Sequence, residues 1–178
     1  MAQKHFEQQG TFHAISNAKN GMPWCTQPDV PELLVDNLVM TRNLYGAALY
    51  AFCVLPDHVH IVLSPGPKGL SRFIHSFKRN SSWHIHQLHP AAGVHELQLR
   101  NNEYRRSSIT PAGAEKYFSG WQNGFYDERI RDEQQRSNAI AYVQHNAYRH
   151  GLIDDPCGWP WSSLAFPDVL DPLEVWFD

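Results

Sequence analysis

The stretch Leu55-Pro56-Asp57-His58-Val59-His60-Ile61-Val62-Leu63 constrains the fold more than any other part of this chain. Pro56 and Asp57 interrupt two apolar runs, Ala47 to Leu55 and His58 to Ser64, and such a break between strand-like segments predicts a tight hairpin. Successive side chains on a strand point to opposite faces, so Val59, Ile61 and Leu63 fall on one side, where a core belongs. His58 and His60 then project together on the other. Two imidazoles offered from one rigid edge make half of a divalent-metal site. A second His-x-His, His84-Ile85-His86, lies in a region of helical periodicity. Residues two apart on a helix are about 200° apart around the axis, so that pair cannot share a ligand.

The hairpin fits into a longer order of elements. Gly10 to Asn17 reads as a first strand, followed by a Gly- and Pro-punctuated loop through Pro31. Leu33, Leu34 and Leu38 give Glu32 to Asn43 a helical pattern. After the hairpin, Ser64-Pro65-Gly66-Pro67 breaks the chain before a second helix at about Gly69 to Leu88, with Leu70, Phe73, Ile74 and Phe77 on one face. His89 to Ser119 reads as a loop or insertion, and Phe125 to Ile130 as a short strand. Asp132 to His150 reads as a long helix, capped by Asp132 with Gln135 three residues on and closed by Gly151. The order predicts an α+β fold, a ferredoxin-like β-α-β-β-α-β sandwich with an added C-terminal helix. Helices cover one face of such a sheet and leave the other for a ligand. We expect one catalytic domain over residues 1–165 and an acidic tail over 166–178, with Trp159-Pro160-Trp161 packing back as a loop.

That last helix brings the second set of polar groups. Arg136, Ile140, Val143 and Ala147 define its apolar side, with Arg136 at the edge. Tyr142 and Asn146 are one turn apart on another face, joined by Arg149. A phenol, an amide and a guanidinium thus share a ridge that can lean over the His58/His60 face, unless the ridge is simply solvated.

Charge and cysteine usage narrow the setting. The net charge is −3, which speaks mildly against a nucleic-acid partner. Its distribution softens this: residues 71–151 hold eleven Lys and Arg against seven Asp and Glu, the remainder four against eleven. Arg72, Lys78, Arg79, Arg105, Arg106, Arg129, Arg131 and Arg149 are therefore candidates for phosphate contacts, each against the plain alternative of a solvated charge. The scattered Cys25, Cys53 and Cys157 provide neither a disulfide framework nor a Cys-x-x-Cys zinc site. No basic-then-apolar leader is read and no apolar run is long enough for a bilayer, so we expect a cytoplasmic protein and no membrane partner. Trp121, Trp159 and Trp161 can stack on unpaired bases, although packing is the commoner use of tryptophan.

The motifs Leu55-Pro56-Asp57-His58-Val59-His60, Gly69-Leu70-Ser71-Arg72-Phe73-Ile74 with Ser76-Phe77-Lys78-Arg79, Trp121-Gln122-Asn123-Gly124-Phe125-Tyr126-Asp127, Tyr142-Val143-Gln144-His145-Asn146 and Trp159-Pro160-Trp161-Ser162-Ser163 occur in this order. Together they resemble the single-tyrosine HUH transposases of the branch associated with repetitive extragenic palindromes (REP), the IS200-like family. The resemblance implies that His58, His60 and Asn146 hold a divalent cation, Mg2+ or Mn2+, and that Tyr142 is the nucleophile. It implies cleavage of single-stranded DNA beside a hairpin through a 5′-phosphotyrosine link. It leaves monomer and homodimer equally open. A protonated phenol is a poor nucleophile, so the chemistry calls for neighbours that ease loss of its proton and offset charge on the phosphate. The family commonly has Asn-Pro where this chain has Asn146-Ala147, which predicts a longer tyrosine helix. Two other readings stand beside this one: a domesticated hairpin-DNA-binding protein without cleavage, and a ferredoxin-like metal-binding sensor.

Overall fold

Alternation along the strands decides how the sheet is covered. In the computed structural model, which describes residues 10–88 and 119–173, the strands β1 (Thr11–Asn17), β2 (Ala48–Val54), β3 (His58–Ser64) and β4 (Tyr126–Ile130) form one sheet in the order β2-β3-β1-β4. All three pairings are antiparallel. The helices α1 (Val30–Tyr45) and α2 (Leu70–Leu88) complete the expected β-α-β-β-α-β order, and α3 (Glu133–Gln144) with the single turn α4 (Asn146–Arg149) adds the C-terminal helix. This is the ferredoxin-like α+β arrangement anticipated from the sequence.

Phe12 and Ala14 of β1, Phe52 and Val54 of β2, and Val59, Ile61 and Leu63 of β3 face α1 and α2. There they meet Leu34, Leu38, Phe73 and Phe77, all nearly or wholly excluded from solvent. The opposite face is thinner. Tyr50, Ala51, Cys53, Val62 and Ile130 pack there against Val143 and Ala147 of the C-terminal helix. Tyr50 and Ala51 share that face although they are consecutive, because a register shift between Leu49 and Ala51 inserts one residue into β2.

Helix boundaries depart from the sequence reading in two places. Helix α1 begins at Val30, ahead of the expected Glu32, because Pro31 lies in its first turn, where its missing N–H costs no helical hydrogen bond. The C-terminal helix is interrupted at His145 (φ −99°, ψ 16°) and ends at Arg149. Gly151 (φ 67°) closes that last turn, so the single unbroken helix expected over 132–150 is in fact two segments. The cap acts as anticipated: Asp132 accepts from the Gln135 N–H at 2.7 Å, and the Gln135 side chain accepts from the Arg131 N–H at 2.9 Å.

The segment after Gly151 straps the outer edge of β2. The Val54 N–H donates to the Trp161 carbonyl at 2.9 Å, and the Trp159 indole donates to the Val54 carbonyl at 2.8 Å. Further on, Asp171 and Leu49 exchange hydrogen bonds, the Asp171 N–H to the Leu49 carbonyl and the Leu49 N–H to the Asp171 carboxylate, each at 2.8 Å. Arg42 of α1 grips the same carboxylate in a bidentate pair. An edge strand covered in this way offers no free ladder to another chain. Trp121 is also structural, buried beside Trp24 with its indole donating to the Ser81 hydroxyl at 3.0 Å. No helix among the described residues is long and apolar enough to cross a membrane.

Candidate active site

The hairpin that presents His58 and His60 is held from both sides. The Asp57 carbonyl accepts from the Ala18 N–H at 2.7 Å and the Pro56 carbonyl from the Cys25 N–H at 2.9 Å, so the turn is fixed to the end of β1 and the loop beyond it. From this base His58 and His60 project to the face covered by α3 and α4. Their Nε2 atoms lie 3.1 Å apart.

Each imidazole is engaged at its other nitrogen. His58 Nδ1 is 2.6 Å from Asp57 Oδ1. His60 Nδ1 is 2.8 Å from Nε2 of His13, a residue of β1 two positions from the register partner of His60. Burial pushes the His60 imidazole down to about 2, and repulsion from His13, His58 and His150 adds to the effect. Burial also lowers the pKa of His13, opposed by the negative charge of Glu128. Both rings are therefore neutral at physiological pH, the form in which a histidine offers a lone pair.

Tyr142 closes the site from above. Its ring meets His60 and His13 edge-on, with centroids 5.7 and 5.9 Å apart, and the Arg149 guanidinium sits 5.1 Å from the tyrosine centroid. Two turns further along, His150 packs edge-on to His58 at 5.7 Å. Asn146 lies one turn from both Tyr142 and His150, on the face they share. It is fully buried, and neither its amide oxygen nor its amide nitrogen has a hydrogen-bond partner among the described residues. An amide desolvated without partners is costly, which marks this position as one that a polar ligand would complete.

These residues fit a divalent cation. Two ligands at about 2.1 Å in adjacent octahedral positions stand about 3 Å apart, which matches the Nε2 separation. No three His, Cys, Asp or Glu side chains form a metal-binding group among the described residues. An amide oxygen is a donor of the kind hard cations take, and Asn146 offers one without a partner among the described residues. Beside Tyr142 a cleft of about 520 Å³ opens between α3 and the β1/β4 edge, lined by His13, Ile15, Tyr126, Glu128 and Asn138 among others.

The basic residues picked from the sequence divide sharply. Arg149 is at the site. Arg72, Lys78 and Arg79 are on α2, across the sheet from the histidines. The Lys78 ammonium donates to the carbonyls of Gln122 and Gly124 at 2.6 and 2.5 Å, and burial pushes its pKa down to about 8. Arg129 pairs in register with Phe12, on the helix-covered face, and Arg131 is exposed just past β4. Arg105 and Arg106, with nearly all of the 89–119 insertion, lie outside the described residues. Sequence reasoning missed His13 and Asp57. The signal for His13 was present as a polar residue on the outward positions of β1, but only the pairing of β1 with β3 brings it to His60.

The structure thus sets a strand-borne His-x-His pair beneath a helix-borne tyrosine, on an antiparallel ferredoxin-like sheet. The pattern of the family described as transposase IS200 like matches residues 8–109, and the chain belongs to that family. The match takes in His13, His58 and His60 and ends before Tyr142. A Haemophilus influenzae protein assigned as a REP-associated tyrosine transposase is 26% identical over 124 residues, which is 70% of this chain and 62% of that relative's length. Among solved structures, a REP-associated tyrosine transposase bound to a REP hairpin superposes with a TM-score of 0.66 at 17% identity, covering 100% of this chain and 92% of its own. A Deinococcus radiodurans protein assigned as a transposase gives 0.50 at 17% identity, covering 80% and 95%. These likenesses establish the shared fold.

Proposed function

We propose that this chain is a metal-dependent transesterase that cuts and rejoins single-stranded DNA beside hairpins, with Tyr142 as its nucleophile. The observation that carries the reading is the packing of the Tyr142 ring on His60 and His13, above two imidazole nitrogens that converge at 3.1 Å. The hairpin substrate is supported by the solved relative bound to a REP hairpin.

In this reading His58 and His60, through Nε2, and Asn146, through its amide oxygen, hold Mg2+ or Mn2+. The bound cation supplies Lewis-acid polarisation of a phosphate oxygen and offsets charge in the transition state. Tyr142 attacks the scissile phosphorus with its phenolic oxygen, and the phenolic proton passes to solvent. The bond from phosphorus to the 3′ oxygen breaks. This leaves a 5′-phosphotyrosine and a 3′ oxygen, which takes up a proton to become the 3′ hydroxyl. The link conserves the phosphodiester energy, so a second 3′ hydroxyl can reverse the step without ATP. Arg149 places positive charge beside both the phenol and the incoming phosphate. Arg72, Lys78, Arg79, Arg129 and Arg131 contact the DNA backbone farther out, with Lys78 first giving up its two carbonyl partners. Residues 1–165 carry the catalytic groups, and the acidic segment from 166 packs back on them through Phe166, Leu170 and Asp171.

Covalent capture tests this. Labelled single-stranded hairpins from the gene's own flanks are incubated with the protein and manganese, then run on a denaturing gel beside the Tyr142→Phe variant. A labelled protein band that requires both Tyr142 and the metal is expected. Hairpin retention on a native gel with no adduct under any condition would instead identify a binder that does not cut.

A further inference from the structure

We propose that His13 is a positioning residue that switches between donor and acceptor so that His60 can take up a cation. The proposal rests on the reading of His58 and His60 as cation ligands given above. A neutral imidazole carries one N–H, and its other nitrogen is a lone pair. The Asp57 carboxylate can only accept, so His58 bears its proton at Nδ1 and turns a lone pair at Nε2 toward His60.

Two proton arrangements remain for the other two rings. In the first, His13 donates from Nε2 to His60 Nδ1, and His60 donates from Nε2 to His58 Nε2, closing a chain that ends on Asp57. That chain satisfies every contact when nothing lies between the two Nε2 atoms. It also blocks His60 as a ligand, because the proton occupies the lone pair a cation needs. In the second arrangement, His60 carries its proton at Nδ1 and donates it to His13 Nε2, and both ligand lone pairs converge. Passage between the two moves one proton from Nε2 to Nδ1 on His60 and one from Nε2 to Nδ1 on His13. No proton is gained or lost.

Only a residue able both to donate to and to accept from His60 Nδ1 supports the two arrangements. His13 does so from a fixed place, stacked on His60 at 5.1 Å with 23° between the ring planes. Glu128, its register partner on β4, lines the same cleft and offers a carboxylate to the relocated His13 proton. Asp57 needs no such freedom, since it orients His58 in the same way in both arrangements. Outer partners of this kind typically change metal affinity by about 10- to 100-fold when removed.

The test compares wild type, His13→Gln, His13→Phe and His60→Ala. Gln can donate or accept through its amide, whereas Phe keeps the ring and can do neither. Mn2+ affinity is measured by calorimetry without DNA, and melting temperature without metal reports folding. Long-range 15N spectra of the wild type, with and without Mg2+, read the tautomer of His60 directly. The expected result is Nε2–H on His60 without cation and Nδ1–H with it. Mn2+ binding should be about 10- to 100-fold weaker in His13→Phe and largely restored in His13→Gln. Equal Mn2+ affinity in the Phe variant and the wild type, or a cation-bound His60 without a proton at Nδ1, would overturn the proposal. If the Phe variant fails to fold, the wild-type spectra decide alone. Wild type that binds no Mn2+, or binds it as tightly as His60→Ala does, would sink the ligand reading itself and the switch with it.

Discussion

The two faces of one sheet differ more than any two elements of this molecule. On β3, Val59, Ile61 and Leu63 point into a closed layer of aliphatic and aromatic side chains under α1 and α2. The intervening His58 and His60 point the other way, into a thin layer where imidazoles, a phenol and a buried amide crowd together. Polar groups so near the core can be tolerated because the first face carries most of the apolar burial. The same strands supply both, and the two-residue period keeps stability and chemistry on alternate side chains. Rigid strands also suit a site whose ligands must be held to within fractions of an ångström.

Substitutions of adjacent residues on β3 set the faces against each other. The largest effect is expected at the site: His60→Ala should weaken Mn2+ binding by more than about a hundredfold, beyond the loss typical of an outer partner. Its melting temperature in metal-free buffer should fall less than that of Ile61→Ala, since the relieved desolvation of the imidazole offsets part of the lost packing. Ile61→Ala, one residue on, should do the reverse. Truncating that fully buried side chain should cost about 2–5 kcal/mol of stability, read from denaturant midpoints, with Mn2+ affinity unchanged in the folded protein. If both variants lost metal binding and stability together, the division between the faces would be wrong.

The smallest effect belongs to the strap. Asp171→Asn removes a bidentate, largely screened pair with Arg42 and should cost about 1 kcal/mol. Burial alone would raise the Asp171 carboxyl, but the bonds from Arg42 and the Leu49 N–H outweigh it and hold the group below its ordinary value. A carboxyl lowered in the folded state stabilises above its unfolded value, about 3.9, and the contribution fades as pH falls through the folded value. Melting curves of wild type and Asp171→Asn should therefore differ at pH 6 and converge in acid.

What the sequence made legible follows this same division. The period-two pattern from His58 to Leu63 disclosed both faces of β3, and the Asp132–Gln135 cap disclosed where the tyrosine helix begins. These are local signals. His13 shows only as a polar residue on the outward face of β1, because its meaning depends on a strand partner 47 residues away. Asn146 reads as part of a polar ridge that either leans over the histidines or is solvated, and its complete burial is visible only once the helix lies on the sheet. Lys78 looks like any exposed cation until the Gln122–Gly124 turn folds onto it. The strap over β2 was legible as a returning loop, but its register was not, since Trp161 and Asp171 find Val54 and Leu49 through non-local hydrogen bonds.

In the proposed reaction, position over the histidine pair, and not exposure, selects Tyr142 as the nucleophile. Tyr142 is 38% exposed, whereas Tyr148 is 47% and Tyr126, in the neighbouring cleft, is 55%. The most direct measurement is mass spectrometric fragmentation of the protein–DNA adduct after nuclease and protease digestion, to find which tyrosine carries the phosphonucleotide. The modification is expected on Tyr142 alone. The phosphonucleotide on Tyr126 or Tyr148 would contradict it.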